Sequence, residues 1–265
     1  MTILVLGGTG KTGRRVASAL DALGVANRPV SRGTEVRFDW YDQSTWAAAL
    51  DGATAVYLVP PAGTLDDAEV AAFVPRAVEA GVGRIVQLSS RGVPPDNGRE
   101  RAVRESGVDW TILHPSWFAQ NFSEDFFLPQ VLAGEVPLPP GDGAHAFIDA
   151  QDIADVAVAA LTQDGHAGVT YELSGPEAVT FEDAVARIAE LSGRSVRVVE
   201  VSPEDYTATL RKAGFGPVYA GMLTMALSAI RAGLDAGVSD GVPSVLGRDG
   251  RLFGDYVKET AGCWA

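Results

Sequence analysis

The chain has 265 residues, 46% of them hydrophobic and 21% charged, which is enough to build one large domain or a domain with a smaller lobe. Its net charge of −13 disfavours nucleic acids and anionic membranes as partners, because both would repel it. One cysteine excludes an internal disulfide, the three histidines lack metal-ligand spacing, and no signal peptide or apolar run of about 18 residues is present, so we expect a cytoplasmic protein without metal.

The first thirteen residues are the most informative part of the chain. A short apolar strand, 2–6, ends in glycines and continues into a predicted helix, 12–23. Gly7, Gly10 and Gly13 follow a G-x-x-G-x-x-G pattern, in which glycines allow tight turns and a close approach of the backbone to a pyrophosphate. The start of the helix adds unpaired N–H groups and the positive end of its dipole. The pattern therefore predicts a dinucleotide-binding loop.

Two other interpretations of this loop are open. Gly10, Lys11 and Thr12 resemble the end of a P-loop, but the first glycine of that motif would fall at Val5, inside the strand. The loop could also be a plain glycine turn between a strand and a helix. Its position after an N-terminal strand, with further α/β units behind it, favours dinucleotide binding.

Strands and helices are predicted to alternate through the first 160 residues. The predicted strands are 2–6, 25–30, 35–38, 55–59, 84–88 and 110–114, and the predicted helices are 12–23, 44–50, 66–80 and 98–106. Gly24, Gly52, Gly81 and Gly107 stand just beyond helix ends, where a left-handed cap favours glycine. Short buried strands that alternate with helices predict an α/β fold with a doubly wound parallel Rossmann sheet.

The pattern becomes less regular beyond Trp117. We predict helices over 118–132, 149–161 and 215–232, a loop over 134–143, a strand over 170–173, and helices that begin at Thr180 and Ser202. We therefore expect residues 1–150 to form the NAD(P)-binding Rossmann domain, with its sheet partly completed by later segments. Residues 151–265 would form most of a smaller, interleaved substrate-binding lobe.

Several segments of the chain resemble one known group of reductases. These segments are 7–15, 38–42, 44–46, 57–61, 110–118, 121–122, 152–155 and 175–177. They are similar to those of atypical short-chain dehydrogenases/reductases of the NmrA-like group, in particular the ergot-alkaloid (festuclavine/agroclavine synthase-like) reductases and their bacterial relatives. The resemblance implies an NADPH-dependent reductase that acts on imines or iminium ions.

The cofactor-binding residues are predicted from the ends of the strands. Phosphate contacts are expected from Gly7, Thr9, Gly10, Lys11, Thr12 and Gly13; ribose-phosphate contacts from Ser31 and Arg32; adenine contacts from Asp39 and Trp40; and nicotinamide-side contacts from Leu58, Val59, Pro60, Pro115 and Trp117. Arg32 at the second strand end favours NADPH over NADH, because arginine accommodates a 2′-phosphate. Glu35 is the counter-argument, since it could turn inward to bind a ribose. Trp40 could equally lie in a surface turn.

A flat aromatic substrate pocket is predicted after the strand 110–114. Its candidate residues are Trp117, Phe118, Asn121, Phe122 and Phe147. Each of these aromatic rings could instead belong to the core. Asn121 needs a polar partner if it lies among aromatic rings.

The resemblance also reveals a missing pair. Many short-chain dehydrogenases use a Tyr-x-x-x-Lys pair to protonate the substrate, but residues 89–104 contain neither tyrosine nor lysine, and Gly92 and Asp96 stand near the expected positions. Ser89 is a weak catalytic candidate, and His114 replaces the usual arginine. A lone histidine, such as His114 or His145, is more often structural.

An iminium ion could nevertheless be reduced without an acid, because hydride delivery neutralises it directly. We therefore predict an NADPH-dependent oxidoreductase that reduces an imine, an iminium ion or another activated double bond in a small hydrophobic, natural-product-like substrate. Two alternatives are a non-catalytic NADP(H) redox sensor that binds a partner and a cofactor-binding isomerase or cyclase.

Overall fold

The computed structural model describes residues 1–64, 66–94 and 96–265. Its strands are β1 (Ile3–Leu6), β2 (Asn27–Val30), β3 (Ala55–Leu58), β4 (Arg84–Leu88), β5 (Asp109–Pro115), β6 (Glu135–Leu138), β7 (Ala144–His145), β8 (Val169–Leu173), β9 (Val179–Thr180) and β10 (Arg197–Glu200). Its α-helices are α1 (Gly13–Ala22), α2 (Trp46–Leu50), α3 (Ala68–Glu79), α4 (Gly98–Arg104), α5 (Asn121–Glu124), α6 (Leu128–Ala133), α7 (Ala150–Thr162), α8 (Phe181–Ser192), α9 (Pro203–Lys212), α10 (Pro217–Arg231), α11 (Gly241–Leu246) and α12 (Phe253–Thr260).

Six parallel strands form the central sheet in the order β2-β1-β3-β4-β5-β8. Helices α1 and α7 bury one face of this sheet, and α2, α3 and α4 bury the other. This arrangement confirms the predicted Rossmann-type α/β fold. Because all six strands run in one direction, their carboxyl ends meet at a single edge, where ligands of open α/β sheets bind.

Local signals predicted many helix ends correctly. Thr180 caps α8 by accepting a hydrogen bond from the Asp183 N–H (3.0 Å), and Ser202 caps α9 in the same way through Asp205 (3.1 Å). The glycines predicted to follow four helices have positive φ angles, between 67° and 98°. These ends are determined by residues close in sequence, so they can be recognised without tertiary information.

The predicted strand 35–38 is wrong. The structure contains only one isolated bridge there, between Ser31 and Arg37. The Phe38 N–H instead donates to the Ser31 carbonyl (2.9 Å), and the Asp39 N–H donates to Thr45 Oγ1 (3.0 Å). These backbone groups are satisfied locally, so the segment needs no further pairing in the sheet.

Two other predictions need correction. The predicted loop 134–143 contains β6, which pairs in parallel with β10, some sixty positions later in the chain. The predicted helix 118–132 is divided into α5 and α6, because Asp125 between them is extended (φ −142°, ψ −158°). Local composition contains no signal for the distant β10 partner or for the interruption at Asp125.

A second hydrophobic core lies outside the sheet. It is lined by segment 119–148 and by helices α8, α9, α10 and α12. Phe122, Phe127, Phe147 and Phe181 form the centre of this core, with ring centroids 5.0 to 6.0 Å apart. Of the later elements, β8 pairs with β5 in the central sheet, and α7 packs against that sheet. The two cores are thus interleaved along the chain.

Candidate active site

The glycine loop follows β1 at the carboxyl edge of the sheet. Gly7 adopts a positive φ of 65°, and its carbonyl accepts a hydrogen bond from the Gly10 N–H (2.8 Å). A Cβ on Gly13 would lie 2.2 Å from the Gly7 oxygen, so α1 can begin here only without a side chain at Gly13. The backbone of Gly10 remains exposed in front of α1. This cradle suits a pyrophosphate, which needs close backbone approach at a helix N-terminus.

Lys11 links this loop to the segment after β5. Its Nζ donates to Asn121 Oδ1 (2.8 Å), forms an ion pair with Asp125, and lies 5.5 Å from the centre of the Phe118 ring. Asn121 is almost fully buried, and Lys11 is the polar partner it requires. The predicted phosphate loop and the predicted substrate segment therefore meet at Lys11.

Two arginines on α1 strengthen the same connection. Arg15 pairs with Glu124 at 2.7 Å, and Arg14 pairs with the same carboxylate. Burial alone would raise the pKa of Glu124, but its hydrogen bonds and charge interactions with the two arginines outweigh burial and lower the pKa. Sequence reasoning missed these pairs, since more than 100 positions separate their members.

The predicted adenosine side lies beyond β2. Ser31 stabilises the turn, because its Oγ accepts from the Gly33 N–H (3.2 Å). Arg32 is exposed and forms no ion pair within the part of the chain that the structure describes, so its guanidinium is free to meet a phosphate. Glu35 is also exposed. The structure thus places Arg32 directly after β2, where the ribose-phosphate contact was predicted.

Trp40 joins the adenine-side turn to the loop after β3. Its Nε1 donates to the Val59 carbonyl (3.1 Å), and its ring packs edge-on against Phe38 and Phe73. The Asp39 carboxylate is engaged by Arg37 (3.1 Å). Leu58 is buried at the end of β3, whereas Val59 and Pro60 are partly exposed at the ligand edge. Trp40 therefore has a packing role in addition to any stacking on a base.

Backbone groups at the end of β5 are already used within the protein. The Pro115 carbonyl accepts from the Arg91 N–H (3.0 Å), and the Ser116 N–H donates to the Leu173 carbonyl (2.8 Å). The Trp117 N–H donates to His145 Nε2 (3.0 Å). We predicted that the backbone at Pro115 and Trp117 holds the nicotinamide amide. Only carbonyl oxygens with a free lone pair could still make such a contact.

The predicted aromatic pocket divides into two groups. Trp117 and Phe118 are partly exposed, and the Phe118 ring lies beside Lys11. Phe122 and Phe147 are 0% and 2% exposed, in the centre of the second core. We therefore correct the prediction for these two rings: α5 and the segment before α7 turn them inward, where a substrate cannot reach them.

A polar network lies beneath the ends of β4 and β5. Ser89 directly follows β4, and its hydroxyl donates to Glu100 on α4. His114 Nε2 lies 2.8 Å from Glu100 Oε1, and His114 Nδ1 lies 2.7 Å from Glu172 Oε1 on β8. Arg104 pairs with the second Glu100 oxygen at 2.8 Å. Glu100 is 1% exposed, so these partners are what make burial of its charge tolerable.

The geometry determines the charge of His114. A neutral imidazole donates from only one nitrogen, yet both nitrogens of His114 face carboxylate oxygens. Two carboxylates at its two nitrogens favour the doubly protonated imidazolium form of the ring. Burial alone would lower the pKa of His114, but the hydrogen bonds and charges of Glu100 and Glu172 outweigh it and raise the pKa. The pKa of Glu100 is lowered, because the hydrogen bonds and charges of its partners outweigh burial.

His145 has the opposite character. Its Nε2 accepts from the Trp117 N–H, so the ring proton sits on Nδ1, 2.9 Å from the Asp235 carbonyl. Burial lowers the pKa of His145 more than the nearby Asp235 raises it. His145 is thus a neutral, fully buried ring that supports Trp117. The structural interpretation of a lone histidine fits His145, whereas His114 needs another explanation.

A six-stranded parallel sheet with a glycine cradle at its carboxyl edge defines a dinucleotide-binding protein of the Rossmann type. Comparison with known proteins agrees, because the profile of the family described as NAD(P)H-binding matches residues 7–164. The chain belongs to this NAD(P)H-binding family.

Full-length relatives add detail. The chain is 37% identical to the (4-alkanoyl-5-oxo-2,5-dihydrofuran-3-yl)methyl phosphate reductase of Streptomyces griseus, an alignment that covers 99% of each chain. It is 32% identical to the agroclavine dehydrogenase of Claviceps fusiformis, over 100% of this chain and 99% of that protein. The resemblance to the clavine reductases is therefore confirmed.

A solved structure supports the fold. The NADPH-dependent quinone oxidoreductase of Escherichia coli, complexed with NADPH, superposes with a TM-score of 0.76 at 22% identity, over 98% of this chain and 99% of that one. The family match and the full-length relatives together show that the chain is an NAD(P)H-binding oxidoreductase. In the segments described by the structure, no helix is both long and apolar enough to cross a membrane.

Proposed function

We propose that the protein uses NADPH to reduce an imine, an iminium ion or another activated double bond of a small hydrophobic substrate. The observation that carries this proposal is the contact of Lys11, in the glycine loop, with Asn121 and the Phe118 ring. Through this contact the partly exposed Phe118 ring lies beside the glycine loop, and Trp117 is the residue before it. The activity of the clavine dehydrogenase relatives supports the same class of substrate.

The partly exposed rings of Trp117 and Phe118, which we call the aromatic wall, suit a flat cationic substrate. Bound NADPH supplies a hydride, and the protein has to hold the acceptor carbon within about 3–3.5 Å of the donor. The faces of Trp117 and Phe118 attract cations as well as apolar rings. Neighbouring Glu124 and Asp125 are neutralised by the cations of α1 and its loop, so they hold the wall in place rather than compete for the substrate.

Turnover of a defined cation tests the proposal. We expect N-methyl-3,4-dihydroisoquinolinium, a flat cyclic iminium ion, to oxidise NADPH in the presence of the protein. With NADPH deuterated at the transferred position, the amine product should carry one deuterium by mass spectrometry. Oxidation of NADPH without label in the product would contradict direct reduction. Cofactor binding without turnover on a panel of iminium ions would favour a redox sensor instead.

A matched pair of substitutions locates the substrate. Trp117→Ala should lower kcat/KM for the iminium ion, because it removes part of the aromatic wall. Trp110→Ala removes an indole near the opposite end of β5, beside Arg104. Equal losses in both variants would indicate a general effect on folding and would argue against the proposed wall.

A further inference from the structure

We propose that His114 stores a proton that Ser89 delivers to substrates which need one during reduction. This inference rests on the proposed reductase function and extends it from iminium ions to neutral double bonds. It assigns a purpose to the network of Ser89, Glu100, His114 and Glu172, which the reduction of an iminium ion does not use.

Ser89 lies at the edge of the sheet where a ligand would bind. The residue directly follows β4, at the same carboxyl edge of the sheet as the glycine loop and the end of β5. It is only partly buried, whereas Glu100 behind it is 1% exposed. Ser89 is therefore the member of the network that a ligand at this edge can contact.

The network contains a histidine whose two ring nitrogens both face carboxylates. His114 carries two N–H groups, one directed at Glu100 (2.8 Å) and one at Glu172 (2.7 Å). One of those protons can leave, because a neutral imidazole is stable at ordinary pH. An arginine at this position could hold both carboxylates but would keep its protons. Histidine thus converts a permanent ion pair into one with a transferable proton.

The far side of the network reaches solvent. The Glu172 side chain is 49% exposed, so the far side of the network meets water. Arg91, after β4, lies 3.5 Å from Glu172, and Arg104 holds the outer oxygen of Glu100. These two guanidinium groups supply positive charge beside the two glutamates when His114 is neutral. The ring can then regain its proton from solvent before the next turnover.

An azo bond shows how the transfer balances. When a hydride reaches one nitrogen, the electron pair of the N=N bond moves to the other nitrogen, which takes the proton of Ser89. The Ser89 oxygen takes a proton from Glu100, which in turn has taken one from His114 Nε2. No serine alkoxide forms, because Ser89 gains one proton as it loses another. The products are the hydrazo compound and a neutral His114.

The decisive comparison uses two substrates and three variants. N-methyl-3,4-dihydroisoquinolinium needs no proton, whereas the azo dye methyl red needs one. His114→Arg preserves both ion pairs, Ser89→Ala removes the final donor, and His166→Arg is a control at a histidine outside the network. Proton transfer by a positioned group contributes about 10²–10⁴-fold to rates. We expect His114→Arg and Ser89→Ala to lower the ratio of methyl red turnover to iminium turnover by about 100-fold or more.

Each other outcome has a defined meaning. Equal losses on both substrates, or no loss on methyl red, would overturn the proton store and leave the proposed reductase intact. Iminium turnover by the native protein without any methyl red turnover would also overturn it. Absence of turnover on both substrates would remove the proposed function and the proton store together.

A measurement without turnover tests the stored proton directly. In protein labelled with ¹⁵N-histidine, His114 should show two protonated ring nitrogens at neutral pH, and His145 should show one. His114→Arg assigns the signals, and Glu100→Gln should remove the doubly protonated species. A singly protonated His114 in the native protein at neutral pH would refute the proposal.

Discussion

Replacing Phe122 with alanine tests the division between the second core and the aromatic wall. The Phe122 ring is fully buried, and the rings of Phe127, Phe147, Phe181 and Phe253 surround it with centroids 5.0 to 6.0 Å away. Each neighbour is itself packed in the core, so the surroundings can close only part of the cavity. Phe→Ala substitutions in cores cost about 3–5 kcal/mol, and we expect Phe122→Ala to lie in the upper half of this range.

Urea unfolding, followed by circular dichroism, gives the free energy of unfolding from the midpoint and slope of the transition. We expect Phe122→Ala to lower the midpoint with an unchanged slope, and Phe122→Leu to lower it much less because more of the volume is retained. A loss of about 4 kcal/mol is a large part of the typical 5–15 kcal/mol stability of a domain. The folded fraction of Phe122→Ala should nevertheless bind NADPH, since the ring packs in the second core.

Trp117→Ala is the matched control, because this ring is partly exposed and packs at the edge of the same core. It should reduce substrate affinity more than stability. If Phe122→Ala cost less than about 1 kcal/mol while abolishing turnover, the ring would be part of the substrate site and its assignment to the core would be wrong.

Three further predictions follow from the site. Arg32→Ala should weaken NADPH binding about ten- to a hundred-fold and leave NADH binding nearly unchanged, because a charged hydrogen bond contributes about 1.5–3 kcal/mol. Fluorescence titration measures the affinities for both cofactors. An unchanged ratio of the two affinities would reject the assignment of Arg32. Gly10→Val should block NADPH binding while the protein stays folded, because Gly10 is exposed in the cradle. Gly13→Ala should instead destabilise the fold, since its Cβ would lie 2.2 Å from the Gly7 oxygen. Thermal unfolding combined with NADPH titration distinguishes the two effects, and identical behaviour of the two variants would contradict this geometry. Because the pKa of His114 is raised in the fold, its contribution to the free energy of unfolding is complete below the ordinary histidine pKa and is lost as the pH rises through the folded pKa. Because the pKa of Glu100 is lowered, its contribution is complete above the ordinary glutamate pKa and is lost as the pH falls through the folded pKa. The native protein should thus lose unfolding free energy relative to His114→Arg as pH rises above about 6.5, and parallel curves would show that His114 is not charged in the fold.

Short-range sequence signals determined the Rossmann frame and the cofactor loop. The G-x-x-G-x-x-G spacing requires only that neighbouring residues turn tightly, and the helix caps at Thr180 and Ser202 involve contacts three positions apart. Such features depend on local backbone geometry, which the sequence states directly. For this reason the glycine cradle and most element boundaries near it were predictable.

Tertiary structure alone decided which aromatic rings remain partly exposed and which charged residues pair with one another. Trp117, Phe118 and Phe122 look alike in sequence, but α5 turns Phe122 into the second core and leaves the other two partly exposed. Similarly, the charge of His114 depends on Glu100 and Glu172, 14 and 58 positions away in the chain. A carboxylate on each ring nitrogen is a property of three elements packed together. No local pattern encodes it, because the free energy of burying that charge exists only in the folded protein.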